Sequence, residues 1–196
     1  MSWSTAVSDA ALALVALGGA GVLLRVGGRA RTLGGMGFGL VGIAAALGTA
    51  RYGFAPAVEP SHEAFSRVAG LVGVPLIGVG FLVSALRKEE WRRNVGFGCL
   101  IALPALAAGL GWLPTYRLAI GALGMVAVVA VSGLSFGKDR NASVAGILGA
   151  LMTILAGLVI GTDGELLGFQ RIDWFHYALA TANAFLAVSL LRLGAR

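Results

Sequence analysis

Long apolar stretches alternate with short polar breaks along this chain. A helix needs about 20 mostly apolar residues to cross a bilayer. Stretches of that kind lie near residues 6–25, 33–53, 63–86, 95–113, 117–136, 142–161 and 173–192. The breaks carry turn formers, such as Gly27-Gly28, Pro114 and Asp163-Gly164. No stretch alternates apolar and polar residues over the length of a barrel strand. The pattern predicts an all-α fold, a single integral membrane domain of seven transmembrane helices over residues 1–196.

The composition supports a membrane protein. Of the 196 residues 58% are hydrophobic and 12% are charged, whereas soluble domains carry about 25% charged residues. So little charge excludes a disordered chain and a water-soluble enzyme. Cys99 is the one cysteine, so no disulfide joins two parts of the chain. The first eight residues lack Lys and Arg, so we expect no signal peptide. Together with the richness in Ala, Gly and Arg, this favours a prokaryotic cytoplasmic membrane.

The basic residues predict the orientation, because cytoplasmic loops carry an excess of Lys and Arg. With the N-terminus outside, four of the 15 basic residues lie on the outer side, namely Arg51, Arg67, Arg117 and Arg171. The other 11 lie on the inner side: Arg25, Arg29, Arg31, Arg87, Lys88, Arg92, Arg93, Lys138, Arg140, Arg192 and Arg196. The predicted topology is therefore N-out/C-in. The net charge of +6 indicates contact with the lipid bilayer and not with nucleic acid.

The chain contains a candidate internal repeat. Gly48-Thr49 ends the second stretch and His62 opens the third, while Gly161-Thr162 ends the sixth and His176 opens the seventh. The first three and last three helices would run in the same directions. This suggests a 3+1+3 parallel pseudo-repeat, an arrangement that some transporters use. Chance matches are the alternative, since Gly, Ala, Leu and Val dominate the sequence.

Small residues and prolines inside the stretches predict local features. Gly35 and Gly39 lie four residues apart in the second stretch, and Gly42 has a small partner four residues on. Such spacing is typical of close helix packing in membranes. Pro75 and Pro104 each remove a helix hydrogen bond, so we expect kinks there.

Ionisable and polar residues gather near the outer ends of the third and seventh stretches. His62 and Ser66 share a helix face, and Glu63 is spaced to pair with Arg67. Asp173, His176 and Asn183 form one stripe. Such groups are costly in a membrane and by default indicate a site. The predicted outward-facing pocket comprises Arg51, His62, Glu63, Ser66, Asp173, His176 and Asn183. The alternative interpretation is that helix ends at a membrane surface ordinarily carry polar residues, without forming a site.

These residues are compatible with several functions. The leading hypothesis is a small-molecule transporter or binding protein without a cofactor and without enzymatic activity. A second is a metal-dependent membrane hydrolase with zinc on His62, His176 and Asp173, and with Glu63 or a bound water as base. The two histidines could also ligate a b-type haem. The third is a non-catalytic subunit that packs against other membrane subunits or as a homo-oligomer.

Overall fold

The computed structural model describes residues 2–194, except for the side chains of Pro114 and Arg117. Arg196 was predicted on the inner side of the membrane and Arg117 on the outer side. Both predictions concern groups outside the described part of the chain. The described residues form seven long helices. They are α1 (Trp3–Val26), α2 (Arg29–Gly53), α3 (Glu59–Val68, Ala69–Gly73 and Val74–Ala85), α4 (Glu89–Leu110), α5 (Pro114–Leu134), α6 (Arg140–Leu155 and Ala156–Ile160) and α7 (Arg171–Leu193). A 3₁₀ turn, Pro56–Val58, precedes α3.

Each predicted stretch overlaps one helix, but all seven helices begin earlier than predicted. The largest difference is at α4, which begins at Glu89 and thus includes charged residues that were assigned to a loop. Two acidic residues, Glu89 and Glu90, lie in its first turn. Carboxylates there interact favourably with the helix dipole, so the charges support the helix start.

The loop before α7 contains a small hairpin that the sequence did not predict. Its strands β1 (Glu165–Leu166) and β2 (Phe169–Gln170) are antiparallel. The turn residues Leu167 and Gly168 have φ of 54° and 81°, the left-handed values that tight hairpin turns need. Two-residue strands are too short to give a detectable alternation of apolar and polar residues.

The helices have the length and composition of membrane spans. Within residues 2–194, six are long and apolar enough to cross a bilayer, and in α5 the apolar part, Leu118–Leu134, is shorter. These features are typical of an integral membrane protein.

Six of the helices follow one another around the bundle, and one lies outside it. Helix α1 packs on α2 and α7, α2 on α3, α3 on α5, α5 on α6, and α6 on α7. Phe38, Phe81, Met125 and Leu186 are fully buried between them. Helix α4 packs mainly on α3, and only 11% of its apolar window is buried. We call the six helices without α4 the ring.

Within residues 2–194, two helices contain a π-helical turn. In α3 this turn is Ala69–Gly73, and the Val74 N–H donates to the Ala69 carbonyl, five residues back. Pro75 follows directly. Because proline lacks an N–H and its ring would clash with the carbonyl four residues earlier, the wider turn accommodates it. The second π turn, Ala156–Ile160, ends α6.

Polar contacts tie the helix ends together at both ends of the bundle. At the end that holds the predicted inner residues, Arg29 pairs with Glu89 at 2.8 Å and Arg31 donates to the Leu191 carbonyl at 2.7 Å. At the other end, the Thr5 hydroxyl donates to Gln170 Oε1 at 3.1 Å. The predicted inner ends of α2, α4 and α7 therefore meet on one side.

Candidate functional site

A cavity of about 360 Å³ lies inside the ring, in the half of the bundle that contains the start of α7. Its wall is mainly apolar. The polar residues that line it are Asp9, His62, Ser66, Thr153, His176 and Asn183. The two histidines of the sequence, which are far apart along the chain, thus line the same cavity.

Both π turns form part of the cavity wall. Ala69 and Gly70 come from the turn in α3, and Gly157 and Leu158 from the turn in α6. A Cβ atom added to Gly70, Gly121 or Gly157 would meet nothing within 4 Å. The α3, α5 and α6 side of the cavity is therefore built from glycines that leave open space, and the irregular helix segments lie where the cavity is.

His176 is held by α1. Its Nδ1 lies 3.2 Å from Ser8 Oγ and 3.4 Å from Asp9 Oδ1. Ser8 Oγ lies 3.0 Å from the Thr5 carbonyl, to which it donates, and 3.4 Å from Asp173 Oδ1. Since Nδ1 faces two oxygen atoms, it carries the ring proton of the neutral imidazole. The other nitrogen of His176, Nε2, is then an acceptor without a protein partner among the described residues.

Asp9 is buried in the second turn of α1, with 1% of its surface exposed. Gly48 of α2 makes room for it, because a Cβ atom on Gly48 would lie 2.7 Å from Asp9 Cγ and 3.0 Å from Oδ1. Asp9 Oδ2 has no hydrogen-bond partner in the described part of the chain. Asn183 is similar: it is 5% exposed and its Nδ2 donates to the Leu179 carbonyl at 2.7 Å, while its Oδ1 has no partner there.

His62 is held by Arg51, at the end of α2. Its Nδ1 lies 3.0 Å from Arg51 Nη1. Since arginine only donates, Nδ1 accepts, and Nε2 carries the proton of the neutral ring. Arg51 also forms an ion pair with Glu59 and lies 4.0 Å from Glu63. The predicted pair of Glu63 with Arg67 is therefore replaced by one with Arg51.

The structure divides the predicted site residues into two groups. His62, Ser66, His176 and Asn183 line the cavity. The other three do not line it: Arg51 lies behind His62, Glu63 is 60% exposed next to Arg51, and Asp173 reaches His176 only through Ser8.

Ser8 and Asp9 are not among the residues that the sequence predicts for the pocket. The predicted start of α1 near residue 6 made Asp9 part of a helix end. The observed start at Trp3 places Asp9 inside the helix, where a carboxylate in an apolar stretch would have indicated a site.

The predicted metal set is not assembled. Among residues 2–194, no three His, Cys, Asp or Glu side chains lie close enough together to hold a metal ion. The guanidinium of Arg51 faces His62 Nδ1, and Asp173 contacts Ser8. A cation beside one imidazole disfavours a second cation there. The predicted set of His62, His176 and Asp173 therefore does not fit a zinc ion.

Comparison with known proteins gives a family without an assigned activity. No curated protein and no solved structure matches the chain. The model of a family of unknown function, DUF6962, matches residues 4–195 and thus all seven helices. The chain belongs to this family.

Proposed function

We propose that this protein is a membrane-embedded small-molecule binding protein or transporter whose ligand occupies the cavity inside the ring. The observation that carries the proposal is the convergence of His62, His176 and Asn183, from two helices, on one mainly apolar cavity. Ligand sites are concave, mostly apolar and about 300–1,000 Å³ in volume, with a few placed polar groups. A cavity of about 360 Å³ lies within that range.

The proposed topology is N-out/C-in, with the cavity open to the outer side. Support comes from the inner-end contacts of Arg29, Arg31 and Arg192 with neighbouring helices. The end that they share is the one with the excess of basic residues, as the positive-inside rule requires for the cytoplasm.

The order of the ring supports the proposed 3+1+3 repeat. Two parallel units, α1–α3 and α5–α7, related by a two-fold axis along the membrane normal, require contacts between α3 and α5 and between α7 and α1. Both contacts exist, and α4 lies outside the ring. Transporters use such units, with the ligand at their interface.

The test is ligand-induced stabilisation that depends on the cavity. Purified protein in detergent is screened by thermal denaturation against small cations, neutral molecules and anions. A ligand of the native state raises the midpoint by mass action. Gly121→Phe fills open space in the cavity, and Gly109→Phe on α4 is the matched control because its Cβ position is also open.

The proposal predicts that at least one chemical class raises the midpoint of the wild type and of Gly109→Phe but not of Gly121→Phe. Equal shifts in all three proteins would mean binding elsewhere or an effect on the detergent. The absence of a shift with every class would also overturn the proposal.

A further inference from the structure

We propose that the ligand of this cavity is an amphiphilic amine, with a primary ammonium head on Asp9 and Asn183 and a compact apolar body. This inference rests on the proposed function, because it names the class of molecule that the same cavity takes.

The unpartnered polar atoms around the cavity are mostly acceptors. Asp9 Oδ2 and Asn183 Oδ1 are buried without a hydrogen-bond partner among the described residues. His176 Nε2 adds a third acceptor when Nδ1 donates to Ser8 or Asp9. A buried acceptor without a donor costs about 1–3 kcal/mol. A head group with N–H donors supplies what these acceptors lack, whereas a carboxylate or phosphate does not.

The charges near this end of the cavity also favour a cation. Asp9 and Asp173 are buried beside His176 and Ser8. Arg51 cannot neutralise them fully, because its guanidinium is shared with Glu59 and Glu63. A buried carboxylate is stable only when it is paired or protonated. An ammonium ion from the ligand would supply the missing partner.

The remainder of the wall suits an apolar body. Along α7 the cavity is bounded by Leu179 and Leu186, and from α5 and α6 by Leu118, Met125 and Ile154. Burial of apolar surface stabilises binding by about 25 cal/mol per Å². A compact hydrocarbon cage that is smaller than the cavity fits such a wall better than a long chain.

The experiment compares three probes with the same cage. They are 1-adamantylamine, 1-adamantanol and adamantane-1-carboxylate, which are cationic, neutral and anionic near pH 7. Binding to the purified full-length protein is measured by calorimetry and by thermal shift. We expect the amine to bind at least 10-fold more tightly than the alcohol, and the carboxylate not to bind.

Two variants test the head-group contacts. Asn183→Leu and Asp9→Asn should each weaken binding of the amine at least 10-fold. The matched controls carry the same changes at exposed positions outside the cavity, Asn141→Leu and Asp163→Asn, and should bind as the wild type does. If Asp9→Asn does not fold, Asn183→Leu alone carries the test.

The outcomes separate the two proposals. Tighter binding of the carboxylate or alcohol, blocked by Gly121→Phe, would overturn the amine assignment and leave the binding cavity in place. Amine binding that is unchanged in Asn183→Leu and in Asp9→Asn would overturn the assignment of the head group. If none of the three adamantane compounds binds, the assignment of the ligand class is wrong. The thermal-denaturation screen against cations, neutral molecules and anions decides separately whether the cavity binds any small molecule.

Discussion

At the scale of single residues, the site depends on one glycine as much as on its polar side chains. Gly48 on α2 leaves the space that the Asp9 carboxylate of α1 occupies. Asp9 in turn contacts His176 at 3.4 Å. A side chain at position 48 would therefore move Asp9, and with it the imidazole that lines the cavity.

Replacing this glycine should be destabilising. In Gly48→Ala the new methyl group overlaps the Asp9 carboxylate, and overpacking of this kind costs about 1–3 kcal/mol. Gly39→Ala on the same helix is the control, because a Cβ atom there meets nothing within 4 Å. Thermal unfolding monitored by size exclusion measures both. Adding Asp9→Ala should recover part of the loss in Gly48→Ala, and equal stability of the two glycine variants would contradict the packing described.

Four of the residues predicted for the pocket line the cavity, and the sequence points to them because histidine, serine and asparagine in apolar helices are conspicuous. It could not reveal which side chains lie behind them. The role of Arg51 as a partner of His62, and of Ser8 as a link between His176 and Asp173, depends on contacts between helices that are distant in sequence. Helical spacing describes only one helix at a time.

At the scale of single helices, the start of α6 is fixed by a capping residue. Asp139 accepts a hydrogen bond from the Ala142 N–H at 3.0 Å and one from Arg192 Nε at 2.8 Å. The hydrogen bond from the Ala142 N–H, helped by Arg192, lowers the pKa of Asp139 below its ordinary value. The cap also links the start of α6 to the end of α7.

This cap should make stability depend on pH. Because the folded pKa of Asp139 is below the unfolded one, its contribution is full above the ordinary value of about 4 and is lost as the pH falls through the folded value. Thermal midpoints at pH 7 should fall in the order wild type, Asp139→Asn, Asp139→Ala, since Asn still caps. The gap between wild type and Asp139→Asn should close in acid. A gap that is independent of pH would show that the charge of Asp139 has no part in it.

The crossing of α3 and α5 is a backbone contact between two glycines. A Cβ atom on Gly78 would lie 2.7 Å from the Gly124 Cα atom. We expect Gly78→Ala to destabilise the protein by more than about 1 kcal/mol, because backbone cannot move aside as a side chain can. The matched control is Gly98→Ala on α4, whose Cβ position is open. Thermal unfolding that is unchanged in Gly78→Ala would rule out so close a crossing.

Helix identity was predictable from the sequence, whereas the details of packing were not. Two of the small residues in α2 face α1: a Cβ atom on Gly35 would lie 2.9 Å from Leu24 Cγ, and one on Gly42 would lie 2.6 Å from Leu17 Cγ. Gly39, in contrast, faces open space. A spacing of four residues identifies a face without showing what covers it. Pro75 indicated an irregular helix, and the π turn before it depends on how α3 fits its neighbours.

At the scale of the whole molecule, the described helices form a bundle that the sequence gives only as a list of segments. Hydropathy predicts segments and the basic residues predict their direction. The position of α4 outside the ring depends on which helix faces fit together. The exposed apolar residues of α4 are no different in type from those of α3. Composition alone could therefore not show that α4 lies outside the ring.

Labelling of single cysteines tests the proposed orientation. With Cys99 replaced by Ala, Glu165→Cys in the hairpin and Gly137→Cys between α5 and α6 give one thiol on each side; both positions are exposed. A membrane-impermeant thiol reagent applied to intact cells should label Glu165→Cys. Gly137→Cys should react only after permeabilisation. The reverse pattern would place the cavity mouth on the inner side.

The most direct test of the binding cavity is the protection of one cavity residue from outside. Ser66→Cys, in the Cys99→Ala background, places a thiol on the cavity wall. An impermeant reagent should label it from the outer side, and 1-adamantylamine should slow the labelling at least 10-fold. Glu165→Cys should react at the same rate with and without the amine. Labelling only from the inner side, or a rate that no small molecule of any charge class changes, would contradict an outward-facing binding cavity.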